Sequence, residues 1–401
     1  MVKSNWWVSR NALLIALSAF FADLGYQAVI AGFPILIVVV LKAPVILFGA
    51  AMALSYGVGS LIGYAGGRLS DRYSRKKVAV LGNVLIPLLS LSGIAASGVE
   101  AVALFAGGWW ARNFRSPARR AMMSDLTKAS ERSRAFGLLN ALDISGGILA
   151  TFYLIAFLLL GIGLRYIFLL TVIPLLVSTL CLLMVKSRNR TESRSQPKGD
   201  AAAVHNATFR WNKRIYGGVL AATALYGFSF YSFGFPILTV YQSSGSYLYG
   251  ILTYTFYLAA AAAFGYIIGK RLERRMEKAP YYLGIMGYMV SAFGSLLLSI
   301  SYSAGLPLWF FYLGAVVLGL GLGAIETLEP TIISFIKSRE IGKGMGSLTA
   351  YRSAGLFFGN LIMGILYVVD PSWSYIYAAI AAFASGLIIL LPLLASEKRK
   401  L

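Results

Sequence analysis

Seven ionisable side chains stand well inside long apolar runs of this 401-residue chain: Asp23, Arg112, Arg115, Asp143, Glu326, Glu329 and Arg352. Runs of that length read as bilayer spans, where a charge costs at least about 2.5–3.5 kcal/mol on insertion scales, so each is a functional candidate by default. Four acids nearly balance three bases, and that balance predicts pairing. Arg112, Arg115 and Arg119 recur at i, i+3 and i+7 and share one helix face, with Arg119 expected near enough to the span end to be solvated. Asp143 lies in the next span, at a depth that suits Arg112 or Arg115 on an antiparallel neighbour. The second half repeats the pattern with signs swapped, Glu326 and Glu329 facing Arg352. The plainer reading of Asp143 and Arg352 is an ion pair that only neutralises buried charge.

Proton transfer is the chemistry these groups suit. Asp23, Glu326 and Glu329 are the candidate proton carriers, because a carboxyl holds a proton in apolar surroundings and gives it up beside an arginine. Glu329, one turn from Glu326, adds like-charge repulsion between the two acids. Arg112, Arg115, Asp143 and Arg352 are candidates for substrate binding or charge relay, with Arg112 tuning Asp23. A further candidate is Tyr231, in the run Tyr226-Gly-Phe228-Ser-Phe230-Tyr231-Ser-Phe233-Gly-Phe235-Pro236, which is followed by Tyr247, Tyr249, Tyr254, Phe256 and Tyr257. Such rings form a wall for an apolar, aromatic or cationic ligand. Aromatic helix packing and interfacial belts are the plainer reading of the same residues.

Other chemistries lack their residues. The chain has one histidine, His205, and one cysteine, Cys181. No multi-histidine metal site, intrachain disulfide or nucleophile–base–orienter set can be assembled, so neither an enzyme nor a bound cofactor or metal is expected. The glycines Gly314, Gly319, Gly321 and Gly323 follow no strand and precede no P-loop Lys-Ser/Thr, so they read as close helix packing.

The elements that must hold these residues follow from composition. The chain is 58% apolar and 13% charged, against about 25% charged in a soluble protein. That is an integral membrane protein. Apolar windows give twelve spans, near 11–40, 43–66, 77–98, 101–121, 134–160, 164–185, 214–241, 246–269, 280–302, 306–335, 343–368 and 373–395. Basic residues alternate by loop. Arg68, Arg72, Arg75, Lys76 and Lys77 follow the second span; Arg119, Arg120, Lys128, Arg132 and Arg134 the fourth; Lys270, Arg271, Arg274, Arg275 and Lys278 the eighth. The opposite loops hold only Lys42 and Arg165. The positive-inside rule therefore puts both termini in the cytoplasm. The excess of 36 Lys+Arg over 15 Asp+Glu is a topology signal, with no nucleic acid implied. Trp6 and Trp7 precede an uncleaved first helix and sit at the interface.

The polar stretch 188–212 reads as a cytoplasmic linker between a six-helix bundle at 1–187 and another at 213–401. The two bundles look like repeats. Gly67-Arg-Leu-Ser-Asp71-Arg72-Tyr-Ser-Arg75-Lys76 after the second span corresponds to Gly269-Lys-Arg-Leu-Glu273-Arg274-Arg275 after the eighth, and Arg134-Ala-Phe-Gly137 corresponds to Lys343-Gly-Met-Gly346. Parallel repeats of this kind imply a cavity between halves and alternating access by rocking. Gly67, Asp71, Arg72 and Arg75, with Glu273 and Arg274, are the candidate conformational latch. Asp71 would cap a helix N-terminus and pair with an arginine, favouring one access state.

These residues resemble the major facilitator superfamily of secondary transporters. Gly67, Asp71, Arg72, Arg75 and Lys76 match its loop between helices two and three, with Ser74 where that loop usually carries a second glycine. The stretch Ala111-Arg112-Asn-Phe-Arg115-Ser-Pro117-Ala-Arg119-Arg120, followed by Asp125, is similar to a prokaryotic drug-efflux-like subgroup. Of the family's glycine-and-proline antiporter signature in helix five, the glycines stand as Gly146-Gly147 and the proline is absent. The resemblance implies an all-α, twelve-helix membrane fold of two pseudo-symmetric bundles, with a helix-one acid and a helix-four arginine in its cavity. The expectation is a monomeric, multi-pass transporter in the cell membrane, exporting hydrophobic or cationic small molecules in exchange for protons. Two rivals stay open: proton symport of an organic anion bound by Arg112 and Arg115, and a non-transporting membrane sensor of the same fold.

Overall fold

The computed structural model describes residues 9–127, 132–186, 213–272, 276–336 and 341–398. Among these the chain is helix and turn, with no strand. Twelve helical segments follow in order: α1 Arg10–Val40, α2 Val45–Arg72, α3 Arg75–Ile94, α4 Gly98–Asp125, α5 Arg132–Leu159, α6 Leu164–Met184, α7 Ile215–Ser244, α8 Tyr247–Leu272, α9 Ala279–Ser303, α10 Leu308–Ile336, α11 Ile341–Val369 and α12 Pro371–Lys398. All twelve fall close to the apolar windows of the sequence. Eleven of the described helices are long and apolar enough to cross a membrane. The exception, α4, has 28 residues and so reaches about 42 Å. It carries Glu100, Arg112, Arg115, Arg119 and Arg120, so charge and not length sets it apart.

Caps and small residues fix where the helices end and how closely they approach. Ser74 is extended (φ −70°, ψ 119°) and its hydroxyl accepts from Lys77 N at 3.4 Å, capping α3. The turn from α2 therefore needs no left-handed residue, and serine is a better N-cap than glycine. The α2 helix itself runs on through Gly67, Asp71 and Arg72, leaving only Tyr73 and Ser74 between the two helices. At the end of α7, Gly245 takes φ 71° and returns its N–H to Tyr241 O, a conformation glycine adopts without strain.

The described residues pack into two compact units. The first is drawn from Met1–Ile30, Leu61–Ala96 and Ala103–Asn206, the second from Ala31–Ser60, Ser97–Val102 and Ala207–Leu401. In the first, α1 turns a small-residue stripe (Ala12, Ala16, Ala19) with Ile15 towards Val78 and Ala79 of α3, Ala118 and Met122 of α4, and Leu182 of α6. On another side α1 meets α5, where a Cβ at Gly146 would stand 2.3 Å from Phe20 O.

In the second unit α10 runs between α8 and α9. Gly319 and Gly323 face backbone oxygens of Tyr257 and Ala261 on α8, and Gly321 faces Ser291 on α9. These glycines are the packing stripe that the absence of a P-loop suggested. Gly227 and Gly355 bring α7 and α11 together, a Cβ at Gly355 standing 2.6 Å from Gly227 Cα. The α7 helix is interrupted at 230–233, where Asn360 of α11 takes over the lost ladder. Its Oδ1 accepts from Ser232 N at 2.9 Å and its Nδ2 donates to Leu356 O and, at 3.4 Å, to Phe230 O.

Large exposed apolar residues such as Leu61, Leu159, Ile173, Trp309 and Ile380 stud the outer faces. In water such surfaces would aggregate; hydrocarbon is the solvent that suits them.

Candidate functional site

In the first unit the buried charges of α1, α4 and α5 fall into three hydrogen-bonded groups, one each around Arg112, Arg115 and Arg119 of α4. Tyr26 Oη donates to Asp23 Oδ1 at 2.5 Å, and Gln27 Nε2 reaches the same oxygen at 3.5 Å. Asp23 Oδ2 is buried with no hydrogen-bond donor among the described residues. Arg112 Nε and Nη2 donate to Tyr26 Oη at 3.4 Å, and its guanidinium lies 5.0 Å from the Trp109 ring and 5.5 Å from the Tyr26 ring. Tyr26 therefore stands between the helix-one acid and the helix-four arginine, hydrogen-bonded to both.

The other two arginines do not take the places the sequence suggested. Arg119, expected to be solvated, has a side chain only 4% exposed. It is Arg119, not Arg112 or Arg115, whose Nη2 meets both oxygens of Asp143 at 3.0 Å. Arg119 sits a full turn beyond Arg115 on the same face, and the α4–α5 register matches it to Asp143. Arg115, fully buried, donates through Nη1 to Asn83 Oδ1 of α3 at 2.5 Å, while its Nε and Nη2 have no partner among the described residues. Asn83 is held in turn by Thr179 and Ser178 of α6, and Ser178 donates to Ser18 O of α1.

In the second unit one arginine bridges two acids. Arg352 of α11 bonds Glu326 through Nη1 and Glu329 through Nη2, both on α10. The two acids differ sharply: Glu329 is 0% exposed and Glu326 52%. Tyr288 of α9 donates to the other oxygen of Glu329 at 2.6 Å, and Thr223 and Tyr226 of α7 close the cluster through hydroxyl contacts to Tyr288 and Ser291. Tyr288 lies in a widened turn of α9, Leu283–Met289, a feature often found at functional sites. Tyr231 is buried elsewhere in α7, its hydroxyl on Ser295 at 3.2 Å and its ring 5.8 Å from Tyr375. Of the aromatic run, Phe233 stacks on Tyr257 at 4.2 Å.

At the α2–α3 turn, Arg75 is bonded to Asp125 at the end of α4 and stands 3.8 Å from Asp71. Asp71 is 72% exposed in its side chain. Lys76 Nζ donates to Leu183 O and Val185 O, satisfying the last carbonyls of α6. Gly67 faces Pro117 of α4, and a Cβ at Gly67 would stand 3.4 Å from that ring. Arg72 closes the α2 helix. The second-half counterparts Glu273 and Arg274, and the stretch 188–212 with His205, lie outside the described residues.

Tyr26, Asn83, Tyr288 and Asp125 are participants that the charge count did not single out. Asn83 carried a signal, a lone amide in an apolar span. Tyr26 and Tyr288 carried almost none, since tyrosine is abundant here at 24 residues.

Two charge-bearing helix clusters in an all-helical, multi-pass membrane chain define a secondary transporter scaffold, and the comparisons with known proteins agree. The profile of the Major Facilitator Superfamily matches residues 15–308. The chain belongs to that superfamily. It is similar in fold to a crystallised D-xylose–proton symporter (TM-score 0.77, 15% identity, 95% of this chain and 97% of the other). It is also similar to a POT peptide transporter (TM-score 0.74, 13%, 98% and 96%) and to the nucleoside transporter NupG (TM-score 0.70, 13%, 96% and 99%). At such identities the likeness concerns the fold. No curated protein sequence matches the chain.

Proposed function

We propose that this secondary transporter is a proton-coupled antiporter of a cell membrane that exports hydrophobic or cationic small molecules, with Asp23 carrying the proton. The observation that carries this reading is the environment of Asp23. It is a buried carboxyl in the middle of α1; among the described residues one oxygen is held by Tyr26, the other has no donor, and no arginine bonds it directly. An acid so placed has a free position for a proton, and Arg112 waits behind Tyr26 as the cation that would favour release. Glu326, the exposed acid of the second cluster, is the contact for a substrate cation, while Glu329 and Tyr288 hold Arg352 in place.

The bundles 1–187 and 213–401 would rock about the linker 188–212 in a monomer with both termini cytoplasmic. Gly67, Asp71, Arg72 and Arg75, with Glu273 and Arg274 in the repeat, would latch one access state, Arg75 acting through Asp125. Symport of an organic anion is the second reading, favoured by one observation: Arg115 is fully buried and two of its donors lack partners among the described residues, as a carboxylate or phosphate would require.

Sealed proteoliposomes with an internal pH dye test the choice, using ethidium and tetraphenylphosphonium as cations and benzoate as the anion. Antiport requires proton movement opposite to a cation, and loss of gradient-driven flux in Asp23→Asn. Protons travelling with benzoate replace it by the symport reading. Gradient-driven flux intact in both Asp23→Asn and Glu326→Gln refutes the proton coupling altogether.

A further inference from the structure

We propose that Asp23 and Asp143 form a carboxyl pair holding a single proton between α1 and α5. The inference rests on the reading of Asp23 as proton carrier and adds a second acid to it.

Backbone packing brings the two acids together. Gly146, three residues after Asp143, faces Phe20 O and Leu24 N of α1, and Gly147 faces the Gln27 side chain. Tyr153, further along α5, donates to Leu24 O at 2.8 Å. These contacts bracket Asp23 on one helix and begin one turn past Asp143 on the other. Glycine at 146 is what permits the approach, since any Cβ there would overlap the α1 backbone. Asp143 shares the α5 face of Gly146 and Gly147, and Asp23 the α1 face of Phe20 and Gln27, so the two acids lie on the packed faces of the two helices.

The donors around the pair leave one position empty. Tyr26 and Gln27 both engage Asp23 Oδ1, so among the described residues Oδ2 is the oxygen without a donor, and it is sealed from solvent. Both Asp143 oxygens accept from Arg119. The charged and titratable groups facing the pair are Arg112, Arg115 and Arg119 from α4 and Tyr26 from α1 itself. Arg112 is engaged by Tyr26 and Arg115 by Asn83, so Arg119 alone bonds a carboxylate directly. Two adjacent ionised carboxylates repel. A proton on Asp23 Oδ2, donated to Asp143, turns that repulsion into a charge-assisted hydrogen bond. Release to water takes the pair from one negative charge to two. The pair exchanges its proton with water through Asp143, which is 22% exposed.

Infrared difference spectroscopy on the purified full-length protein, titrated without any ligand, tests this through the carbonyl stretch of a protonated carboxyl. The expected result is a band that is lost as pH rises and that disappears in Asp23→Asn and equally in Asp143→Asn. Because Asp143→Asn strips Arg119 of its partner and could unfold the protein, Asp143→Glu serves as the second variant; it keeps an acid beside Arg119 and should retain the band at a shifted frequency. A band lost in Asp23→Asn but unchanged in Asp143→Asn and Asp143→Glu overturns the shared proton and leaves Asp23 as sole carrier. Absence of any band that Asp23→Asn removes, across the physiological range, overturns the carrier reading and the pair with it.

Discussion

Replacing Arg352 by methionine isolates the weight of one buried charge. The substitution keeps an unbranched apolar stem of similar length and deletes the guanidinium that joins Glu326 to Glu329. Glu326 is half-exposed and water can replace its partner. Glu329 has no such recourse: it is fully buried, and the Tyr288 hydroxyl at 2.6 Å becomes its one strong donor. Removing one partner of a buried pair costs about 3–5 kcal/mol, because an uncompensated charge stays behind. That is roughly a 150- to 4,000-fold loss in the folded-to-unfolded ratio. At about 2–4 °C per kcal/mol for a unit of this size, the melting temperature should fall by about 6–20 °C.

Tryptophan-fluorescence melts in nanodiscs measure this, with monodisperse elution as the check on folding. The decisive comparison is the double variant Arg352→Met/Glu329→Gln, in which the orphaned charge is gone and Tyr288 can still donate to the amide oxygen. It should melt higher than Arg352→Met alone, by an interaction energy within the range seen for coupled neighbours, about 0.5–3 kcal/mol. Glu326→Gln should lie close to wild type. If Arg352→Met melts like wild type, or if adding Glu329→Gln lowers stability further, the argument from desolvation is wrong.

Three other outcomes follow from the same geometry. Asn83→Leu removes the acceptor that holds fully buried Arg115 and should lower the melting temperature about as much as Arg352→Met, whereas Asn83→Asp, which keeps an acceptor, should not. Gly355→Leu forces a side chain into the Gly227 backbone and should destabilise by at least about 1–3 kcal/mol, read as lost monodisperse yield, while Gly137→Ala, with nothing within 4 Å, should be neutral or gain slightly. Asp125→Asn breaks the Arg75 contact and should slow transport in proteoliposomes more than Asp71→Asn, whose carboxylate stands largely in solvent; the reverse order would show that Asp71 is the working partner.

The spans were legible because hydropathy and basic-loop alternation are one-dimensional signals that bilayer thickness imposes directly. Even α4, the most charged helix, lies at 98–125 around the expected 101–121. Which charge meets which was less legible. Asp143 suits any of three arginines one turn apart, and only the relative slide of α4 and α5 selects Arg119. Sequence depth is known to about one helical turn, and one turn is the whole difference. Glu326, Glu329 and Arg352 escaped that ambiguity because a single arginine faced two acids. Tyr26 and Tyr288 escaped notice for another reason: tyrosine carries little penalty in an apolar run and is abundant here, so nothing in the sequence marks these two as engaged, whereas Asn83 stood out only as a lone amide in an apolar span. The α2–α3 turn was misjudged in extent. Helix continues through Asp71 and Arg72 because Ser74 starts the next helix at once, so Asp71 faces solvent and Asp125 takes the inner side of Arg75.

The charge that sets α4 apart from the other eleven helices bears on how the chain is made. During synthesis α4 leaves the ribosome before α5, so its arginines reach the membrane ahead of Asp143. Three arginines at roughly 2.5–3.5 kcal/mol each leave an isolated α4 a poor candidate for integration on its own. Its earlier-made companions already offer Asn83 to Arg115 and the Tyr26 hydroxyl to Arg112, but Arg119 has no acid until α5 emerges. The fourth helix should therefore linger at the translocon and enter the bilayer together with the fifth. A chain truncated after Asp125 would leave α4 accessible at the surface, and one extended past Leu159 would bury it, tying the insertion of one helix to a salt bridge with the next.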